Sequence, residues 1–174
     1  MYYAAIKKTD VANGPGIRVS LFVSGCTHGC KGCFNSEAWD FRYGEEYTQE
    51  TEKEILAALA PAYIKGLSVL GGEPMEPQNR GVVLELLEKV RSHYPEKSIW
   101  CYTGYDYEKD ILRWEAQEEA GDVSRLLDLI DVLVDGEFVE EKKNLRLAFR
   151  GSENQRLIDM KRSRQLGEVV CLDL

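Results

Sequence analysis

Apolar and polar positions follow two rhythms along this chain, and the rhythms take turns. From Arg18 to Ser24, Val19, Leu21 and Val23 alternate with Ser20, Phe22 and Ser24, a period of two that predicts a strand running straight into Gly25-Cys26. After a polar loop, Ile55, Leu56 and Leu59 within Thr51 to Ala60 take the spacing of one helix face. Leu67 to Leu70 predicts a short buried strand ending at Gly71-Gly72. Val82, Val83, Leu86, Leu87 and Val90 predict a helix over Asn79 to His93, with Pro95 just past its end. Ser98 to Tyr102 reads as a third strand, closed by Thr103-Gly104. Helical material from Tyr107 to Leu129, broken at Gly121-Asp122, leads to a strand at Val132 to Val134 and then to Asp135-Gly136. A last strand is predicted at Val169 to Leu172.

Strands alternating with helices in this order predict parallel βα units and an α/β fold. About four or five units are present, where a closed eightfold barrel takes roughly 250 residues, so the expected sheet is partial or open. No internal repeat, low-complexity tract or linker divides the 174 residues, and one domain spanning 1–174 is expected.

The composition, 44% hydrophobic and 30% charged, is that of an ordinary soluble globular protein. No apolar run approaches the roughly 20 residues of a membrane span, and the N-terminus lacks the basic start and apolar stretch of a secretory signal. No membrane partner and a cytoplasmic location are therefore expected. Charge is more telling. A net charge of -8 counts against a nucleic-acid partner, which needs basic residues in excess on one face. The charge is also uneven, because the segment Lys142 to Arg164 carries +6 and the remainder -14.

Five cysteines is an odd count, and three of them fall in one short loop, a poor layout for a disulfide framework. That loop reads Ser24-Gly25-Cys26-Thr27-His28-Gly29-Cys30-Lys31-Gly32-Cys33-Phe34-Asn35. Three thiolates at this spacing can wrap one compact cluster, with glycines letting the backbone bend around it. A four-iron cluster held by three cysteines leaves one iron open to an added ligand. Two other arrangements share the donors. Cys26, His28, Cys30 and Cys33 make a Cys3His set for zinc, and Cys101 or Cys171 could be the fourth ligand of a closed electron-transfer cluster.

Cys26, Cys30 and Cys33 at this spacing resemble the signature of the radical S-adenosylmethionine superfamily. Gly71-Gly72-Glu73-Pro74, at the end of the second predicted strand, resembles the superfamily's Gly-Gly-Glu-Pro segment. The resemblance implies an open βα barrel of the radical SAM type, a 4Fe-4S cluster on the three cysteines, and S-adenosylmethionine bound at the open iron. Cleavage of that cofactor would give a 5′-deoxyadenosyl radical that abstracts hydrogen. It further implies cofactor contacts at Gly32, Cys33 and Phe34 and at Gly71, Gly72 and Glu73. Many superfamily members carry an aromatic residue just before the third cysteine. Here that position is Gly32, so Phe34 or the backbone of 32–34 takes its place against the adenine. Asp135, at a strand end, is a candidate contact to a cofactor hydroxyl or ammonium, and equally a turn former before Gly136.

Within the superfamily, Gly14-Pro15-Gly16-Ile17-Arg18 resembles a segment of glycyl-radical activating enzymes. The cysteine loop, Asp135-Gly136-Glu137-Phe138 and Arg150-Gly151-Ser152-Glu153-Asn154-Gln155-Arg156 resemble the activating proteins of anaerobic (class III) ribonucleotide reductase. The likeness runs from about Ala12 to Asp159. It implies a backbone glycine of the reductase large subunit as substrate and a one-electron donor such as flavodoxin or ferredoxin. A small-molecule radical SAM enzyme is the alternative. The basic segment is a candidate docking surface, with Arg150, Asn154 and Arg156 its leading residues.

Overall fold

The computed structural model describes residues 1–174. Seven strands form one sheet in the order β3-β1-β2-β4-β5-β6-β7. They are β1 (Tyr2–Asp10), β2 (Ile17–Val23), β3 (Glu45–Glu46), β4 (Ile64–Gly71), β5 (Ser98–Tyr102), β6 (Val132–Asp135) and β7 (Arg156–Asp159). The four central strands β2, β4, β5 and β6 run parallel, while β1, β3 and β7 are antiparallel to their neighbours. The fold is mixed α/β, and the sheet is open rather than closed into a barrel.

Alternation along the parallel strands sends two different sets of side chains to the two faces. Val19, Leu21 and Val23, Leu67 and Val69, Ile99 and Cys101, and Leu133 join one core of 26 buried residues with the helices. Those helices are α1 (Gln49–Leu59), α2 (Pro77–His93), α3 (Leu112–Gln117), α4 (Asp122–Leu129) and α5 (Met160–Leu166). Their ends follow local chemistry. Thr48 and Thr51 cap α1 reciprocally, Pro77 occupies the first turn of α2, and the Glu118 carboxylate accepts the first amides of α4.

The opposite face carries Phe22, Leu70, Trp100, Tyr102, Val132, Val134 and Leu157, and only part of it is covered, by a second small cluster with Phe149 and Leu172. Arg18 also points to this face and is fully buried. Its guanidinium donates to Ser68 Oγ at 2.9 Å, Ser98 Oγ at 2.8 Å, and the carbonyls of Leu67 and Ser98 at 2.9 Å each, and it lies 5.8 Å from the Trp100 ring. Burial pulls its pKa down to about 10, still far above neutrality. The Gly-Pro-Gly-Ile-Arg segment thus ties β2, β4 and β5 together at the start of the strands.

Several elements differ from the pattern-based expectation, the two-residue β3 and the helix α5 among them. β1 has only Tyr3 and Asp10 buried and two register irregularities, so it carries no hydrophobic alternation to detect. β7 is four residues long and lies within the basic segment. Val169 to Leu172 is not a strand. It lies along the outer edge of β7, which already occupies the place beside β6, joined by an isolated bridge between Ile158 and Cys171 and by the packing of Leu172 on the sheet.

Candidate metal centre

The cysteine loop leaves the C-terminal end of β2, where strand-end loops of a parallel sheet converge. Gly25 turns the chain at φ +101°, and a Cβ there would meet the Phe41 ring at 2.2 Å. The loop is then fastened to the turn after β4. The Gly25 carbonyl accepts from the Glu73 amide at 2.8 Å, and the Val23 carbonyl accepts from the Gly72 amide at 2.8 Å. Gly72 is held so close that a Cβ would stand 2.7 Å from the Gly25 oxygen and 3.0 Å from that of Ala38. Asn79, at the start of α2, donates to the carbonyls of both Ser24 and Glu73 at 3.0 Å.

Side chains complete the fastening. His28 Nε2 lies 2.8 Å from Glu73 Oε1 and His28 Nδ1 lies 3.1 Å from Glu137 Oε1, while the imidazole packs edge-on against Tyr105 at 4.4 Å. The Thr27 amide and hydroxyl both donate to Glu76 Oε1, which also accepts from the Tyr105 hydroxyl. Burial pulls the His28 pKa down, but the contacts with Glu73 and Glu137 outweigh it and leave it above the ordinary histidine value. Both ring nitrogens are therefore engaged with carboxylates, so His28 does not offer the fourth ligand of a Cys3His zinc set.

Cys26, Cys30 and Cys33 are free, half-buried thiols on the wall of a cavity of about 480 Å³ that runs along the partly covered sheet face. Phe34, Gly71, Gly72 and Glu73 line the same cavity. No three His, Cys, Asp or Glu side chains gather around one point as the ligands of a single ion would. Three thiols on one wall of a cavity of this volume, on a loop with glycine hinges, leave room for a polynuclear cluster with a further ligand beside it. Burial pushes the Cys26 thiol up to about 12 and raises Cys30 as well, so iron would bind by displacing protons. Cys101 is fully buried in the core and Cys171 is exposed near the C-terminus, and neither lines the cavity.

Other expected contacts fall differently. Gly32 is exposed and outside the cavity wall, and Phe34, 63% exposed, packs on Phe138 at 5.3 Å with Lys143 over its ring. Both oxygens of Glu73 are taken, Oε1 by His28 and the Gly104 amide and Oε2 by the Met75 amide. Asp135 is buried and off the cavity wall. It accepts from Arg156 Nε at 3.0 Å and Nη2 at 2.6 Å and from the Tyr107 amide at 2.9 Å. The paired Asp135 holds the Arg156 guanidinium above its ordinary pKa. Arg156 is thereby committed inside the molecule rather than presented for docking, and Asn154 donates to the Glu137 carbonyl. Sequence reasoning missed the anchoring roles of His28, Glu76, Asn79, Tyr105 and Glu137. Glu73 and Glu76, three residues apart beside the Gly-Gly turn, were the available signal.

A loop of three cysteines opening on a cavity is what a protein of one iron-sulfur cluster needs, and a family model described as a 4Fe-4S single cluster domain matches residues 12–158. Anaerobic ribonucleoside-triphosphate reductase-activating proteins align along nearly the whole chain. That of Vibrio cholerae is 45% identical over 157 residues, covering 89% of this chain and 96% of the relative. Those of Enterobacteria phage T4 and Escherichia coli K12 are 42% and 40% identical, covering 90% and 89% of this chain and 93% and 96% of the relatives. The chain belongs to the family of anaerobic ribonucleoside-triphosphate reductase-activating proteins. No helix is long and apolar enough to cross a membrane.

Proposed function

We propose that this chain is a glycyl-radical activase of the radical SAM class, a single unit of the partial-barrel type acting on the large subunit of anaerobic ribonucleotide reductase. The observation that carries the reading is the placement of Cys26, Cys30 and Cys33 on one wall of a cavity also lined by Gly71 and Gly72. In this reading the three cysteines ligate a 4Fe-4S cluster and leave one iron for S-adenosylmethionine. Held by these three cysteines, such a cluster would supply the one electron needed to split S-adenosylmethionine at its sulfur to C5′ bond into methionine and a 5′-deoxyadenosyl radical, the species that would take a hydrogen atom from the partner's glycine.

The chain's own residues bind, orient and exclude. The strand-end carbonyls at Gly71-Gly72 offer hydrogen bonds to the methionyl ammonium. Cys33 and Phe34, which line the cavity, are the adenine contacts, and Asp135 acts through Arg156 and Tyr107 rather than by touching the cofactor. Phe22, Leu70 and Tyr102 give the cavity an apolar floor that keeps competing hydrogen donors away from the radical. The open sheet leaves room for a loop of a macromolecular substrate to reach that floor. The electron comes from a carrier such as flavodoxin or ferredoxin.

Anaerobic incubation of the iron-loaded protein with S-adenosylmethionine, a reductant and the reductase large subunit should yield a glycyl-radical signal by electron paramagnetic resonance. Its absence with an intact cluster would overturn the proposal, as would turnover of a small molecule without any protein partner. Cys30→Ala should abolish both iron retention and cofactor cleavage.

A further inference from the structure

Arg150 is the only lysine or arginine that lines the cavity. Its Nε is sealed from solvent and has no hydrogen-bond partner. The neighbouring arginines are different. Arg156 is paired with Asp135 and Glu108, and Arg164 with Glu115 and Asp128. Arg18, the other arginine on this face, is satisfied by serines and carbonyls. Burying Nε without an acceptor costs the fold stability, and the remaining donors of this guanidinium, which pair with nothing in the protein, are what a ligand in the cavity would meet.

The backbone holds it there. Phe149, the residue before it, sits at φ +59°, a conformation few non-glycine residues adopt. Its carbonyl accepts from the Tyr102 hydroxyl at 2.8 Å and its ring packs edge-on against Trp100 at 5.4 Å, so β5 fixes the position of Arg150. On the other side, a Cβ on Gly151 would stand 3.1 Å from Phe138 and 3.6 Å from Phe34. That places Arg150 beside the cysteine loop. The one acidic residue of the lining, Glu73, has both oxygens engaged. The cavity therefore presents one free charge, and it is positive.

We infer that Arg150 binds the α-carboxylate of S-adenosylmethionine, an assignment that rests on the cofactor reading above. The carboxylate is the cofactor's one anionic group, and its ammonium and sulfonium would be repelled by a bare guanidinium. The planar fork of arginine matches a carboxylate through two parallel hydrogen bonds. Arg150 thereby sets which end of the cofactor faces the 149–151 wall. A partner protein would first meet Lys142, Lys143 and Arg146, which are exposed.

The test is equilibrium binding to the anaerobic, iron-loaded protein of S-adenosylmethionine and of its decarboxylated analogue, in which the carboxylate is replaced by hydrogen. Arg150→Met should weaken S-adenosylmethionine by about 10- to 100-fold and leave the analogue nearly unchanged, with wild-type iron content. Arg150→Lys should recover part of the loss and serves as the main variant if the methionine form folds poorly. An equal loss for both ligands would mean a structural role and overturn the assignment. So would no loss for either, including the case in which only binding of the reductase subunit falls. Failure of the loaded wild-type protein to bind S-adenosylmethionine at all would overturn the cofactor reading itself, and this assignment with it.

Discussion

The imidazole of His28 and the carboxylate of Glu73 meet at 2.8 Å, and through that contact the loop after β2 is fixed to the turn after β4. Glu73 is fully buried and accepts from three donors, His28 and the amides of Gly104 and Met75. Replacing it by alanine strands all three. Glu73→Ala should lower stability by about 3 kcal/mol and reduce iron retained per chain, and Glu73→Gln should lose less of both because one acceptor oxygen remains. Urea denaturation and iron analysis of the two variants check the ranking.

Asp135 and Arg156 face each other across β6 and β7, and the carboxylate is almost wholly buried. Arg156→Met should cost about 3 kcal/mol in chemical denaturation, because it leaves a buried carboxylate with only the Tyr107 amide. Asp135→Asn should cost less, since Arg156 keeps Glu108. Equal losses would show that Arg156 contributes mainly through packing.

Gly72 has no room for a side chain between the carbonyls of Gly25 and Ala38. Gly72→Ala should push the cysteine loop off the β4 turn, costing about 1 to 3 kcal/mol and lowering cluster loading. The visible absorbance of reconstituted protein, compared at equal iron supply, reads the effect. Gly81→Ala, on α2 with open space around it, is the control that should lose neither.

Asp10 gives the fold an acid limit. Burial raises its pKa, but hydrogen bonds from Ser20, the Ala12 amide and Asn13 outweigh it and bring the carboxyl below its ordinary value. A folded-state pKa below the unfolded one means stability that is fully present above about pH 4 and lost as pH falls through the folded value. Asp10→Asn should therefore lower the urea midpoint at about pH 6 and differ less from wild type at about pH 3.

The cysteine loop and the Gly-Gly turn were legible because their chemistry is local. Residue type and spacing alone say that Cys26, Cys30 and Cys33 can share a cluster. The parallel strands were legible for a similar reason, since Val19, Leu21 and Val23 write their burial into a period of two. β1 was not, because the same sheet position is filled by Tyr3, Ile6 and a pair of exposed lysines held by backbone hydrogen bonds rather than by burial. The pairing of Asp135 with Arg156 depends on β7 lying beside β6, a long-range choice that no local pattern carries. The likeness of residues 150–156 to a known motif singled out Arg150 and Arg156 alike, and only the fold separates the one that is satisfied from the one that is not.

The two-sided sheet has a consequence for how this sequence can change. On β2, β4, β5 and β6 the odd-numbered Val19, Leu21, Val23, Leu67, Val69, Ile99, Cys101 and Leu133 are packed against helices, and the even-numbered Phe22, Leu70, Tyr102 and Val134 lie on the other face. Parity of position along four strands thus sorts substitutions into two classes. The odd set answers to folding; of the even set, Phe22, Leu70 and Tyr102 line the cavity and answer to what is made or admitted there, while Arg18, Trp100 and Val134 hold the fold as well.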